Sequence, residues 1–211
     1  LFRSGFGEKQ YFTMLKQTYE MDRLISMHSA IMDKYDPNKR VDLIVDEWGG
    51  WYESEPNVQG AILFQQNTMR DAMIAGLTLN IFNNHADRVR MANLAQCVNV
   101  LQAVILTQHQ KMILTPTYHV MEMYKVHQDA VQLPIQLSTQ KFIRGKDTVD
   151  AVTASASKDK NGLLHISLVN VHASAPQSIT INLNGGTYNT VTGRILQSAK
   201  IQNYNSFEKP E

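Results

Sequence analysis

The spacing of apolar residues changes near Pro134, and this change constrains the possible folds more than any other feature. Before it, apolar residues recur three or four positions apart, as on one face of a helix. After it, they alternate with polar residues, as along a strand with one buried face. The sequence therefore predicts two domains, an α/β domain over residues 1–131 and a β-sandwich domain, incomplete here, over residues 132–211.

The first part alternates helices with short strands. A helix is predicted from Glu8 to about Tyr35, with Leu24, Met27, Ile31 and Tyr35 on its apolar side, and it ends at Asp36 and Pro37. The following segments are the strand Val41–Val45, the helix Ile62–Phe82, the strand Arg88–Leu94 and a helix beginning at Thr115 and Pro116. This order implies a parallel sheet, either an open doubly wound sheet or a barrel. We expect the first strand, which is almost entirely apolar, to be covered on both faces.

The second part predicts antiparallel strands. Apolar residues alternate along three runs, around 152–157, 164–168 and 179–183. Asn161-Gly162 and Asn184-Gly185 lie next to these runs, and Asn-Gly favours the positive φ angles of tight hairpins.

Charge and composition exclude several functions. Lys plus Arg number 20 against 19 Asp plus Glu, so the chain has no net field suited to nucleic acid or to a membrane surface. The single cysteine, Cys97, has apolar neighbours and is expected to be a buried thiol. The seven histidines show no metal-ligand spacing and there is no GxSxG, so we expect neither a metal site nor a serine hydrolase. His85, His119 and His127 are expected at the surface or as hydrogen-bonded core residues.

Glu47 is the strongest catalytic candidate. It is the second residue after the strand Val41–Val45, and parallel sheets place their functional groups at the carboxyl ends of strands. Trp48 and Trp51 follow it, and aromatic faces beside a carboxylate suit a sugar ring. The alternative is that Glu47 only caps the following segment and that both tryptophans are core residues, and Asp46 is expected to be a structural hydrogen-bond acceptor.

Three amides follow the second strand, in the stretch MANLAQCVNV. Asn93, Gln96 and Asn99 interrupt otherwise apolar sequence. Buried amides need partners, and a loop that lines a pocket would pair them with substrate hydroxyls. Amides that tie down loop backbone are an equal alternative.

Three long motifs together resemble the α-L-arabinofuranosidases of glycoside hydrolase family 51. They are DLIVDEWGGWY, LFQQNTMRDAMIAGLTLNIFNNHADRVRMANLAQCVNVLQAVILT and LTPTYHVMEMYKVHQDA, and the resemblance runs from about Tyr11 to Ala130. It implies that the chain is the C-terminal part of a (β/α)8 TIM barrel, containing its seventh and eighth strands, followed by a jelly-roll-like antiparallel β-sandwich. In this family the glutamate of the DEW motif is the nucleophile, here Glu47. The tryptophan four residues later lines the sugar subsite, here Trp51, and the glutamine of AQ-x-VN contacts the substrate, here Gln96.

The resemblance also implies an activity. A retaining hydrolase would release terminal α-L-arabinofuranosyl residues from arabinan, arabinoxylan or arabino-oligosaccharides, with no metal or organic cofactor. The acid/base glutamate of the family lies in a GNE motif that this sequence lacks, so we expect a fragment that is inactive alone. The family further implies a homo-oligomeric parent and a cytoplasmic location, with periplasmic or secreted locations left open. The alternatives are a non-catalytic carbohydrate-binding or assembly fragment, and a family member acting on a β-xyloside or a glucan.

Overall fold

The computed structural model describes residues 5–53 and 63–210 of the chain. The helices are α1 (Glu8–Tyr35), α2 (Met69–Asn84), α3 (Pro116–Tyr124) and a 3-10 turn over Lys125–His127. The strands are β1 (Leu43–Trp48), β2 (Val89–Leu94), β3 (Ile105–Gln108), β4 (Lys111–Leu114), β5 (Val131–Leu133), β6 (Lys141–Arg144), β7 (Asp147–Asp150), β8 (Val152–Lys158) and β9 (Leu164–Asn170).

Helix α1 has the predicted bounds but buries a different face. The Gln10 side chain accepts a hydrogen bond from the Gly7 N–H at its start, and Asp36 caps its end. Its buried residues lie mainly in the first two turns: Tyr11, Phe12, Met14, Leu15 and Ile25. The predicted apolar stripe, in contrast, is 38–86% exposed at Leu24, Met27, Ile31 and Tyr35. Periodicity therefore identified the helix but not the face that packs.

Strands β1 and β2 form a parallel pair, as predicted, with α2 as the crossover between them. Leu43 and Val45 on one face of β1 pack against the main hydrophobic core. On the same two strands Ile44 and Met91 are 45% and 51% exposed. The expectation that β1 is covered on both faces is therefore wrong for the described residues, where Leu43 and Val45 pack against the core but Ile44 is left exposed.

Helix α2 begins seven residues later than predicted. The predicted start at Ile62 lies outside the described residues, and residues 64–68 are not helical. The Asp71 carboxylate accepts a hydrogen bond from the Thr68 N–H and so defines the first turn after Thr68. The helix is deeply packed, since Ala75 and Leu77 are completely buried.

A short antiparallel hairpin, β3–β4, was not predicted. Its turn contains His109 with a φ of +54° and has no glycine, so it carries no Asn-Gly signal. Leu106 and Ile113 of the hairpin are buried in a small separate core. The hairpin lies between β2 and α3, the latter beginning at Thr115 and Pro116 as expected.

Two of the three alternating runs form strands. Strands β5, β8 and β9 make an antiparallel sheet in that order, and β6–β7 form a separate hairpin. Gly162, at φ +83°, lies in the turn between β8 and β9 as its sequence predicts. The run 179–183 is not a strand, and Ile179, Ile181 and Leu183 are 40–51% exposed. Within the described residues no strand lies beside this run, and alternation without a hydrogen-bonding neighbour does not make a strand.

The two parts of the chain meet along α2, partly through polar groups. The buried Asn80 amide donates to the Thr153 hydroxyl (2.6 Å) and accepts from the Ser155 and Tyr124 hydroxyls (2.8 and 2.9 Å). Asn84 donates to the Ala154 carbonyl (2.9 Å). Apolar packing continues across the same boundary, because Val169 and Val171 belong to the core that contains α2. No helix among residues 5–53 and 63–210 is long and apolar enough to cross a membrane.

Candidate active site at the ends of the parallel strands

Glu47 lies at the carboxyl end of β1 with an exposed side chain. The next residue, Trp48, is 5% exposed and packs edge-on against Phe82 of α2, with 5.6 Å between ring centroids. The register of the β1–β2 pair shifts between Val45 and Trp48, so the side-chain alternation is interrupted there, and Trp48 enters the same core as Leu43 and Val45 while Glu47 stays exposed. The expectation that both tryptophans flank an open site is therefore wrong for Trp48, which is a core residue.

The chain turns sharply after Trp48 at Gly49, whose φ is +139°. A Cβ at this position would lie 3.3 Å from the Gln102 Cβ and 3.4 Å from the Ala95 carbonyl oxygen. Only glycine combines this backbone conformation with so close an approach. Gly49 thus brings the loop after β1 against the loop after β2.

The ends of the two strands are joined directly. The Ala95 N–H donates to the Trp48 carbonyl (2.8 Å), and the Gln102 N–H donates to the Ala95 carbonyl (2.9 Å). Gln96, the next residue, has an exposed side chain. The structure therefore places Glu47 and Gln96 at the same end of the sheet, each with its side chain open to solvent.

Trp51 has an exposed ring, and the backbone groups of both neighbouring residues are hydrogen-bonded to buried side chains. Its side chain is 66% exposed. The Gly50 N–H before it donates to the Gln102 amide oxygen (2.7 Å), and the Gly50 carbonyl accepts from the Gln65 amide nitrogen (2.8 Å). The Tyr52 N–H after it donates to the Gln65 amide oxygen (2.9 Å). We call this pair of glutamine side chains, Gln65 and Gln102, the amide clamp.

A buried ion pair lies below this loop. Arg70 and Asp71, at the start of α2, are 1% and 0% exposed, with 3.3 Å between the guanidinium nitrogen and the carboxylate oxygen. The Arg70 guanidinium also lies 3.6 Å from the centre of the Tyr52 ring. Burial, reinforced by the nearby Asp71 charge, raises the pKa of the Tyr52 phenol well above its usual value. Tyr52 is therefore neutral, and its ring packs against the guanidinium of the buried Arg70–Asp71 ion pair.

The amides identified in the sequence differ from those that organise the site. Asn93 is exposed, and Asn99 exchanges two hydrogen bonds with Thr107 (2.7 and 2.8 Å), so Asn99 ties down loop backbone. The buried amides around the strand ends are instead Gln65, Asn67 and Gln102, each at most 1% exposed. Gln102 lies between apolar neighbours in VLQAV, and this isolated amide was the sequence feature that could have indicated a buried hydrogen-bonding role.

Two further expectations concern Cys97 and the histidines. Cys97 is exposed, so the prediction of a buried thiol is wrong. Its apolar neighbours misled the prediction because they lie in a loop at the surface. His127 hydrogen-bonds the Ser157 and Ser167 hydroxyls (2.7 and 2.8 Å), as expected of a satisfied histidine. In the described part of the chain, no three metal-ligating side chains come together.

Residues 46–211 match the family model of the α-L-arabinofuranosidase C-terminal domain. The matched range includes Glu47, Trp51 and Gln96, and it continues through the antiparallel sheets. The chain belongs to the α-L-arabinofuranosidase family.

Arabinofuranosidases resemble the chain along nearly its whole length. An intracellular exo-α-L-arabinofuranosidase of Bacteroides ovatus is 48% identical over 206 residues, which are 97% of this chain and 40% of the relative. The crystal structure of a glycoside hydrolase family 51 arabinofuranosidase from Xanthomonas axonopodis pv. citri superposes with a TM-score of 0.86. It is 44% identical, and the match covers 99% of this chain and 42% of that protein.

A more distant family 51 structure, from Bifidobacterium longum, shares the fold. Its TM-score is 0.81 at 23% identity, and the match covers 97% of this chain and 45% of that protein. The chain thus spans about two fifths of the length of the arabinofuranosidases that it resembles. All three of these similar proteins are described as arabinofuranosidases.

Proposed function

We propose that this chain is the C-terminal part of a retaining exo-α-L-arabinofuranosidase and that Glu47 is its nucleophile. The observation that carries the proposal is the arrangement at the strand ends, where the exposed Glu47 carboxylate, the exposed Trp51 ring and the exposed Gln96 amide follow two adjacent parallel strands. The substrate class is a saccharide with terminal α-L-arabinofuranosyl units, as in arabinan or arabinoxylan.

The proposed reaction has two displacements. The Glu47 carboxylate attacks the anomeric carbon, while a carboxylic acid on the opposite side protonates the departing glycosidic oxygen. Water then hydrolyses the glycosyl ester and the configuration is retained. This mechanism needs the two carboxyl groups about 5 to 5.5 Å apart, and in the full-length enzyme we assign the acid to the part of the protein that precedes β1.

Trp51 and Gln96 have complementary roles in this proposal. The exposed Trp51 face stacks on the apolar C–H face of the furanose ring. The Gln96 amide donates and accepts hydrogen bonds with the ring hydroxyls. Because both loops are tied to the strand ends, binding of the sugar would place its anomeric carbon beside Glu47.

The same reasoning extends to architecture. We propose that β1 and β2 are the seventh and eighth strands of a (β/α)8 barrel, and the exposed Ile44 and Met91 side chains support further coverage of this sheet. We place the domain boundary between residues 131 and 132. The start of β5 at Val131, which pairs with β8, supports it. The full-length enzyme is proposed to be a homo-oligomer.

The test is chemical rescue in the full-length enzyme that contains this chain. Glu47→Ala should lower kcat by about 10³-fold or more without changing thermal stability, because the side chain is exposed. Azide should then restore part of the cleavage of an aryl arabinofuranoside and give the β-configured glycosyl azide, since a small anion fits the vacated face. The 211-residue chain alone should release no arabinose in steady state.

Asp42→Asn is the matched control. Asp42 is an exposed carboxylate at the opposite end of β1, paired with Arg90 at 3.4 Å. We expect this variant to keep its kcat within about twofold, as surface substitutions usually do. Near-normal activity of Glu47→Ala would contradict the assignment of the nucleophile, and retained configuration in the azide product would contradict the mechanism.

A further inference from the structure

We propose that the amide clamp, Gln65 and Gln102, is a positioning device for Trp51, and this inference rests on the function proposed above. The two glutamines do not reach the sugar themselves in this proposal. They set the backbone from which the Trp51 ring projects, and so determine how well the substrate is held beside Glu47.

The hydrogen bonds enclose Trp51 on both sides. Gln65 contributes both ends of its amide, with the nitrogen donating to the Gly50 carbonyl and the oxygen accepting from the Tyr52 N–H. This is the pairing that an adjacent β-strand would supply to the same backbone. Gln102 adds the third contact, to the Gly50 N–H.

The clamp itself is anchored to two helices. The Gln102 amide nitrogen donates to the Asp71 carbonyl at the start of α2 (2.7 Å) and to the Thr117 hydroxyl at the start of α3 (3.3 Å). Gln65 and Gln102 are 1% and 0% exposed, whereas the Trp51 side chain is 66% exposed. The hydrogen-bonded backbone of residues 50–52 therefore carries the exposed Trp51 ring.

This contrast indicates function. Trp48, three residues earlier, is 5% exposed and packs in the core, whereas the Trp51 ring is exposed although both of its neighbours are held by buried amides. The hydrogen bonds from two buried amides fix the backbone around Trp51 and so determine the position of its exposed ring. The indole direction depends on its backbone and two side-chain torsions, and a displacement of about 1 Å in a substrate contact can cost about 10²-fold in rate.

The test is a double-mutant cycle in the full-length enzyme, measured as kcat/KM on an arabino-oligosaccharide. Gln65→Met and Gln102→Met keep side-chain length but remove the hydrogen bonds, and each should lower kcat/KM by about 10- to 100-fold, mainly through KM. In a Trp51→Ala background the same substitutions should change kcat/KM by less than about threefold, because the ring that they position is gone.

A matched control separates positioning from general destabilisation. Asn67 is equally buried and belongs to the same polar network. It donates to the backbone carbonyls of Leu101 (3.1 Å) and Gln65 (3.4 Å) and accepts from the Thr117 hydroxyl (3.2 Å), and none of these bonds goes to residues 50–52. Asn67→Leu should lower the melting temperature and have the same small effect on kcat/KM in both backgrounds. Gln65→Asn, which keeps an amide and shortens it by one methylene, provides a mild variant if the methionine variants do not fold.

The outcomes distinguish this inference from the function on which it rests. Equal losses in the parent and Trp51→Ala backgrounds, or unchanged kcat/KM for Gln65→Asn and both methionine variants when Trp51→Ala is impaired, would overturn the positioning role alone. Full activity of both Glu47→Ala and Trp51→Ala would overturn the proposed function itself.

Discussion

The loop around Trp51 and the joint between α2 and the sheet β5–β8–β9 both contain buried amides, but the amides have different partners. At the loop, four of the five hydrogen bonds of Gln65 and Gln102 go to backbone groups, and a neighbouring side chain is left exposed. At the joint, Asn80 bonds to the side-chain hydroxyls of Thr153, Ser155 and Tyr124, all enclosed between packed elements. The first arrangement presents a surface, and the second fixes how two layers dock.

This difference separates stability from activity. When a hydrogen bond within a buried joint is removed, the free energy of unfolding falls, and it falls more when more buried polar groups lose their partners. Hydrogen bonds that shape an exposed loop also affect whatever binds there. The following predictions test whether the joint is purely structural.

The largest stability effect is expected for Asn80→Ala. The substitution removes three hydrogen bonds of the joint, although the Tyr124 hydroxyl keeps its bond to the Gly76 carbonyl and the Ser155 hydroxyl keeps the one from Asn83. We expect the free energy of unfolding to fall by about 3 kcal/mol. Denaturant unfolding of the full-length enzyme measures it. At 25 °C kcat/KM should stay within about twofold of the parent, as for other residues outside an active site.

Asn84→Ala is the control for this prediction. Asn84 makes one hydrogen bond, to the Ala154 carbonyl, and is less buried. Its loss should cost about 1 kcal/mol. If Asn80→Ala reduced kcat/KM as strongly as Gln102→Met, the distinction between joint and loop would fail.

A smaller effect is expected for Gly76→Ala, which tests apolar packing at the same joint. A Cβ at Gly76 would lie 2.7 Å from a methyl group of the buried Val169 on β9. Overpacking of this kind typically costs about 1 to 3 kcal/mol, partly offset by the higher helix propensity of alanine. In thermal melts the double variant Gly76→Ala, Val169→Ala should lose less stability than the sum of the two single variants, because the smaller side chain removes the clash. Additive losses would show that the contact with Val169 is not the cause.

The smallest effect concerns pH and His127, at the edge of the joint. Burial, with a contribution from the His165 charge, lowers the pKa of His127 to about 4. The unfolded chain, with a histidine pKa near 6.5, therefore binds the proton more tightly, so stability falls as pH decreases from about 6.5 to 4. Because the ring is only part-buried, we expect a loss of about 1 kcal/mol after solvent screening.

Other groups titrate in the same range, so the measurement is a difference. His127→Gln keeps hydrogen bonding but does not titrate, and its stability should decrease less between pH 7 and pH 4.5 than that of the parent. His28→Gln, at an exposed position on α1, should decrease as much as the parent. Identical pH profiles for His127→Gln and the parent would show that His127 does not contribute.

Several elements were predictable because their signals are local. The bounds of α1 follow from its periodicity and from Pro37, and the start of α3 follows from Thr115 and Pro116. The alternation in β8 and β9 and the Asn161-Gly162 turn likewise lie within a few residues of the structure that they form. The position of Glu47 near the end of a strand followed from the apolar run before it, although β1 extends to Trp48 and so includes Glu47; its role as nucleophile stays a prediction.

Tertiary contacts decided which side chains are covered and which backbone groups are paired. Gly50 meets Gln102 across 52 positions and Asn80 meets Thr153 across 73, so no local pattern marks these amides as partners. The same dependence on distant neighbours explains why Cys97 is exposed and why the alternating run 179–183 forms no strand in the described residues. The sequence by itself therefore determined the element types and the candidate carboxylate. Burial and hydrogen-bond pairing were left to the tertiary structure, because both depend on neighbours that only folding brings together.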